Sequence, residues 1–313
     1  MFYHIQKLIN PIVVDEPDPS AANILQEGLG GQFGEMRTMM QYLFQSFNFR
    51  GDGRPYLDLI QGIGIEEISH VELISKTIAQ LLDGAPEYHG KKYDVPGKGG
   101  STPMDMAKEQ QNVHHFIVGA QGALPVDSVG NPWSGSYVYN HGNLVLDLLN
   151  NLMLEATGRT QKCRIYQMSS NKALRSTVAF LIARDEAHEM GFAKALETLG
   201  VNWGKILPIP KFDSSKYPEV KKLIDAGINR EQYHFRLDGS EMEKIYNGSS
   251  PSNDGTILTT LKEPKNAYPI PQAPERPEEF SPGLDPELQA MADAMQEYTE
   301  QAVKKGKVKG KGL

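Results

Sequence analysis

Cysteine is almost missing from this chain. Cys163 is the only one in 313 residues, so no disulfide can form within the chain and a reducing compartment is expected. A basic excess is missing too. Asp and Glu total 39 against 32 Lys and Arg, a net charge of -7, which argues against a nucleic-acid-binding role. No run of about 18 apolar residues occurs, so no membrane span is expected. The opening stretch is broken by His4, Lys7 and Pro11 and has no continuous apolar signal core. The chain reads as soluble and cytoplasmic. Two nucleotide signatures also fail. GLGGQFGE (28–35) follows no strand and has Phe33 where a dinucleotide loop needs glycine, and Gly90 lies too far from Gly97-Lys98 for a phosphate loop.

What is present is helical periodicity. A first long helix is expected from about Ala21 to Phe49, with Ser20 as its N-cap. Its clustered glycines cost about 1 kcal/mol each relative to Ala and imply close approach of a neighbouring helix beside Glu35. Arg50 to Pro55 form a turn, and Pro55 opens a second helix that ends at Asp83-Gly84. In that helix Ile63, Ile68, Val71, Ile74 and Ile78 form an apolar stripe. A long, differently textured connection comes next, with a shorter amphipathic piece at 104–120. There His114 and His115 are adjacent and cannot grip one ion from the same face, so they are read as structural. The third helix spans about Asn143 to Ser170 and the fourth about Lys172 to Leu199, stopping at Gly200. Beyond Trp203 prolines gather and short strand-like runs such as TILTTL appear. Residues 1–205 are therefore expected to form the main domain, with 206–313 as an extension wrapping the core or a neighbouring subunit. The ending KKGKVKGKGL reads as a solvated tail.

Polar exceptions inside these helices carry the chemistry. Glu67 and His70 are three apart and share one helix face, although Glu66, four before His70, is a rival for that face. Glu155 falls where the stripe Leu144, Leu148, Leu152 calls for another apolar residue. Asp185 and His188 repeat the three-residue spacing on the fourth helix. Glu35 precedes Glu67 by 32 residues, and Glu155 precedes His188 by 33. The pattern is an approximate duplication about a long crossover, as in ferritin-like four-helix bundles that hold two metal ions. The expected fold class is accordingly all-α, a ferritin-like four-helix bundle with one long crossover plus an irregular C-terminal extension with short strands. Carboxylates and imidazoles without a thiolate favour manganese or iron, and Cys163 reads as an ordinary core thiol.

The stretches GGQFGEMRTMMQY, EEISHVELI, WSGSYVYNHGNLVLDLL, NLMLEATGR and RDEAHEMGFAKALETLG closely resemble non-haem manganese catalases, over roughly residues 1 to 270. The resemblance implies two manganese ions per subunit, disproportionation of hydrogen peroxide, and a homo-oligomer, commonly a hexamer. Carried onto this sequence, it implies that Glu35, Glu67 and His70 bind one manganese, and that Glu155 and His188 bind the other. Glu67 rather than Glu66 fits the family spacing and can bridge. Tyr42 matches a tyrosine that orients the Glu35 carboxylate, and Lys162 a basic residue behind the metals. Asp185 stands where some members carry a glutamate that handles peroxide protons. One methylene shorter, it is expected to reach less well and to act through water. Some members also bind structural calcium. Asp58, Asn247 and Ser249 are the corresponding candidates here, with Gly62 where a second Asp would help.

Two rival functions fit the same helices. A di-iron oxidase or peroxidase would be expected to carry a second full Glu-x-x-His in place of Asp185-x-x-His188. A coat-type assembly protein could keep the core with little turnover, and the proline-rich extension is compatible with it.

Overall fold

Gly28, Gly30, Gly31 and Gly34 crowd into seven residues, and they split the expected first helix in two. The computed structural model describes residues 4–83, 118–119, 121–210, 213–272 and 285–305. In it α1 (Pro19–Gly30) stops at Gly31, which is extended at ψ 170°, and α2 (Glu35–Phe47) starts after Gly34. A Cβ at Gly30 would lie 2.1 Å from the Val126 carbonyl oxygen, and one at Gly34 would lie 2.6 Å from that of Leu29. Backbone of the crossover, not a neighbouring helix, is what requires glycine at position 30. Only Gly28 faces a helix in the expected way, through the Ile165 side chain at 3.3 Å. The break makes Glu35 the first residue of α2, where the helix dipole favours a carboxylate. Asp18, not Ser20, caps α1 by accepting from the Ala21 amide at 2.9 Å.

The longer helices agree closely with their sequence signals. Pro55 sits in the first turn of α3 (Arg54–Leu82). Asn143 caps α4 (Leu144–Met168) and Asn171 caps α5 (Lys172–Thr198), each accepting from an amide three residues on. Leu199 ends α5 before Gly200, whose φ of +72° suits glycine. The described residues are mostly helical. α4 packs along α5, α2 along α3, and α3 also meets α1 and α5.

Buried apolar residues form two clusters. One takes Leu73, Ile74 and Ile78 of α3 with Val178 to Ile182 of α5. The other takes Leu59, Ile60 and Ile63 of α3 with Phe192, Ala193 and Leu196 of α5. Between them along both helices lies a polar layer, with Glu66, Glu67 and His70 on α3 facing Arg184, Asp185 and His188 on α5, all buried.

The compact unit does not end at residue 205 but runs to Ala273, because the chain beyond α5 supplies core side chains. α6 (Pro218–Asp225) packs on α5, and Tyr217 and Val220 join the first cluster. Met242, Ile245, Tyr246 and Leu258 join the second. β1 (Lys7–Leu8) pairs with β5 (Tyr268–Pro269). β2 (Glu231–Tyr233) pairs in parallel with β4 (Ile257–Leu261), which pairs antiparallel with β3 (Gly248–Ser249). A separate unit, 274–313, contains α7 (Pro286–Lys304). His114 and His115, most of the expected piece at 104–120 and most of the basic tail lie outside the described residues. Among the described residues no helix is long and apolar enough to cross a membrane.

Candidate metal centre

Two carboxylate–imidazole groups converge in the polar layer and share one member. Glu35, Glu67 and His70 offer ligand atoms within 4.8 Å of one another, and so do Glu67, Glu155 and His188. His70 Nδ1 lies 2.9 Å from Glu67 Oε2 and 3.6 Å from Glu35 Oε2. His188 Nδ1 lies 2.9 Å from Glu67 Oε1 and 3.7 Å from Glu155 Oε1. Each imidazole thus meets one oxygen of Glu67 and one terminal glutamate. The two rings stack, with centroids 5.6 Å apart and an interplanar angle of 21°. Of the rivals Glu66 and Glu67, it is Glu67 that belongs to both groups.

A fit to metal ions can be tested on what these groups lack. Glu67 Oε1 and His188 Nδ1 are buried and unpartnered by any hydrogen bond, although they stand 2.9 Å apart. That arrangement suits two ligand atoms aimed at a third, while the matching pair, His70 Nδ1 and Glu67 Oε2 at 2.9 Å, is aligned as a hydrogen bond. Charge points the same way. Of Glu35, Glu66, Glu67, Glu155 and Asp185, Glu35 and Asp185 meet the ammonium of Lys162 and Glu66 the guanidinium of Arg184, and all seven side chains are buried. With both imidazoles neutral and all five carboxylates ionised, the state in which they can ligate, these seven side chains would carry a net charge of about -3. Buried uncompensated charge costs several kcal/mol per ion, and two divalent cations compensate it. The oxygen and imidazole donor set suits manganese or iron. Cys163 is in neither group; burial pushes its thiol up to about 11, as befits an inert core residue.

Titration behaviour is set by burial and the opposing neighbours. Burial pushes the Glu35 carboxyl up to about 7 against the pull of Lys162. Burial likewise holds Glu155 well above the carboxylate range, against the pull of His188. Burial alone would lower His188, but Glu66 and Glu67 override it and bring it up to about 10. His70 is raised well above its ordinary value, with Glu67 the main opponent of burial.

The remaining predicted residues divide. Lys162, which could have been a surface lysine, is buried, with Nζ 2.7 Å from both Glu35 Oε1 and Asp185 Oδ2. Asp185 joins neither metal group; its Oδ1 is buried without a hydrogen-bond partner. Tyr42 requires a correction. Its hydroxyl donates to Glu155 Oε1 at 2.5 Å, not to Glu35. Seven residues of helix carry it about 10 Å along α2 from Glu35, and it meets the opposite helix instead. Glu35 Oε2 accepts from Thr38 at 3.3 Å.

The calcium candidates do not assemble. Asp58 Oδ1 accepts from Arg54 Nε at 2.8 Å and Arg236 Nη1 at 3.3 Å, and Oδ2 accepts from the Glu241 amide at 2.8 Å. The Asn247 and Ser249 carbonyls accept from Lys194 Nζ at 3.4 and 3.2 Å. Cations of the chain itself take these oxygens. At Gly62 a Cβ would meet Met242 Cε at 2.8 Å and Phe235 Cδ1 at 2.9 Å, so an Asp there would require both side chains to shift.

Sequence reasoning weighed Glu66 only as a ligand and passed over Arg184. Yet Glu66 stands four before His70 and Arg184 four before His188. This matched pair of opposite charges was a readable signal, and in the structure they form a buried bidentate pair at 2.6 and 3.0 Å.

Helices that place one glutamate between two carboxylate–imidazole groups define a class of protein whose interior could hold two cations side by side. The chain belongs to the manganese-containing catalases: the model of that family matches residues 1–302. A manganese catalase of Bacillus subtilis is 36% identical over 277 residues, covering 88% of this chain and 96% of the relative. One from Lactiplantibacillus plantarum is 37% identical over 259 residues, covering 82% and 94%. The crystal structure of KatB, a manganese catalase from Anabaena, superposes with a TM-score of 0.54 at 25% identity, covering 84% of this chain and all of that one.

Proposed function

We propose that this chain disproportionates hydrogen peroxide, turning two molecules into two of water and one of dioxygen, at a pair of manganese ions. The observation that carries the reading is the double use of Glu67, which lies 2.9 Å from both imidazoles through its two oxygens. Family membership supplies the substrate. In this reading Glu35, Glu67 and His70 hold one ion, and Glu67, Glu155 and His188 hold the other. When bound, the pair supplies a two-electron store that cycles between Mn(II)2 and Mn(III)2.

The chain's own residues manage geometry and protons. Reducing one peroxide to water takes up two protons, and oxidising the next to dioxygen returns two, so a local proton store is required. We assign that store to Asp185, with Lys162, whose ammonium, against burial, its two carboxylates hold well above the ordinary lysine range, as the group that positions it. The Lys162 ammonium holds Asp185 Oδ2 and Glu35 Oε1 together at 2.7 Å, which leaves Asp185 Oδ1 free to accept. Burial raises the Asp185 carboxyl against the pull of Lys162, toward the range in which a carboxyl can exchange protons. Its short side chain, tied to Lys162, suits action through water. Tyr42 fixes Glu155 by donating to it.

The reading extends to architecture. α2, α3, α4 and α5 are taken as the four members of a ferritin-like bundle, with residues 83–143 as its long crossover. A cytoplasmic homo-oligomer, as a hexamer, is proposed with it, and exposed apolar residues such as Phe47 and Met153 are available for subunit contact. Calcium is not part of the assignment, because Asp58 is already balanced by two guanidinium groups.

Elemental analysis of the purified protein alongside a peroxide-to-oxygen assay tests the proposal. Two manganese per chain, dioxygen evolution and no haem absorbance are expected. Two iron per chain with slow oxygen consumption would overturn it, and metal-loaded protein without turnover would favour an assembly role.

A further inference from the structure

The outer nitrogens of both imidazoles face one carboxylate. His70 Nε2 lies 3.4 Å from Glu66 Oε1, and His188 Nε2 lies 3.4 Å from Glu66 Oε2. Both Nε2 atoms are buried and make no closer hydrogen bond among the described residues, so the Glu66 oxygens at 3.4 Å are the acceptors within their reach. Glu66 and Glu67 are neighbours in sequence, yet one faces the inner nitrogens and the other the outer ones.

A ligating imidazole keeps its orientation when its far N–H is anchored to an acceptor. One acceptor serving two rings ties their orientations together, in keeping with their stacking. Such an acceptor needs a countercharge, since a lone buried carboxylate costs several kcal/mol. Arg184 supplies it through Nε at 2.6 Å and Nη2 at 3.0 Å. The guanidinium is itself fully buried, so its remaining donor needs acceptors. Nη1 donates to the carbonyls of Ile228 at 2.6 Å and Glu231 at 2.7 Å. The Tyr233 ring covers the guanidinium, 4.5 Å from its centroid. These last partners lie outside the metal-bearing helices, in the turn before β2 and in β2 itself, which β4 holds in register.

We infer that residues 228–233 are a positioning element of the metal centre. Their carbonyls fix Arg184, Arg184 fixes Glu66, and Glu66 sets the orientation of His70 and His188. Arginine is required because only a planar fork can serve a carboxylate with two donors and backbone carbonyls with a third. Lysine would keep the charge and lose the geometry. The inference rests on the dimanganese reading and adds to it that the extension, not the helices alone, prepares the ligands.

The test uses the full chain and Mn(II) itself as the probe. Apo wild type and the variants Glu66→Gln, Arg184→Lys and Tyr233→Leu are titrated with Mn(II), and free and bound ion are followed by electron paramagnetic resonance. Wild type is expected to bind two ions with the signature of an exchange-coupled pair. Glu66→Gln and Arg184→Lys are expected to bind about 10- to 100-fold more weakly, with an altered pair signal. Tyr233→Leu touches no ligand and is expected to show a smaller loss in the same direction, so it decides the matter if Arg184→Lys fails to fold. Folded variants that bind Mn(II) with wild-type affinity and signal, whatever their thermal stability, would overturn the inference. Wild type that binds no Mn(II) would overturn the site reading beneath it.

Discussion

Tyr42 reaches across from α2 to donate a 2.5 Å hydrogen bond to Glu155 on α4, while Lys162 on α4 reaches back to Glu35 on α2 at 2.7 Å. The two terminal glutamates are thus held from the opposite helix, one by a neutral phenol and one by an ammonium. Because Tyr42 touches only the Glu155 side, Tyr42→Phe should weaken one of the two metal positions and spare the other. We expect biphasic Mn(II) binding, with one affinity unchanged and one lower by about tenfold. Uniform weakening in a titration would contradict the pairing.

The shared glutamate makes metal stoichiometry a test of the ligand set. Glu155→Ala leaves Glu35, Glu67 and His70 intact and should leave one manganese per chain. Glu67→Ala removes a member of both groups and should leave none. Elemental analysis of both variants checks this, and full metal content in either would refute the assignment.

Removing Lys162 strands two buried carboxylates, Glu35 and Asp185. Breaking a buried pair by deleting one partner costs about 3–5 kcal/mol, so Lys162→Met should lower the stability of the apo protein by that order in urea unfolding. Asp185→Leu in the same chain removes one of the stranded charges and should recover part of the loss. A double-mutant cycle measures the coupling. Strictly additive effects would show that the contact does not matter.

Metal loading should release protons. His188 is held up to about 10 and His70 well above its ordinary range, yet a ligating imidazole must be neutral. Displacing two protons makes Mn(II) affinity rise with pH, by up to about 100-fold per unit below both values. The apo protein should go the other way. A raised folded-state pKa contributes stability that is fully present below the ordinary value of 6.5 and is lost as pH rises through about 10. Proton uptake and release in a pH-stat and thermal unfolding at pH 6 and 9 check the two signs. A flat affinity profile would count against imidazole ligation.

The sequence by itself determined everything that repeats within one helix. Glu67 and His70 share a face because they are three apart; Pro55, Asn143 and Gly200 mark helix ends because their backbone chemistry suits those positions. The recurrence of acidic and imidazole positions at matched intervals made a candidate paired metal site legible without coordinates. Tertiary structure alone decided which groups meet across helices. Tyr42 serves Glu155 and not Glu35, Asp185 is tied to Lys162, and Glu66 with Arg184 stands behind the imidazoles on carbonyls contributed by residues 228 and 231. Such pairings depend on the rotation and axial offset of one helix against another. Those are set by how the two apolar clusters pack on either side of the polar layer, and no local spacing encodes them.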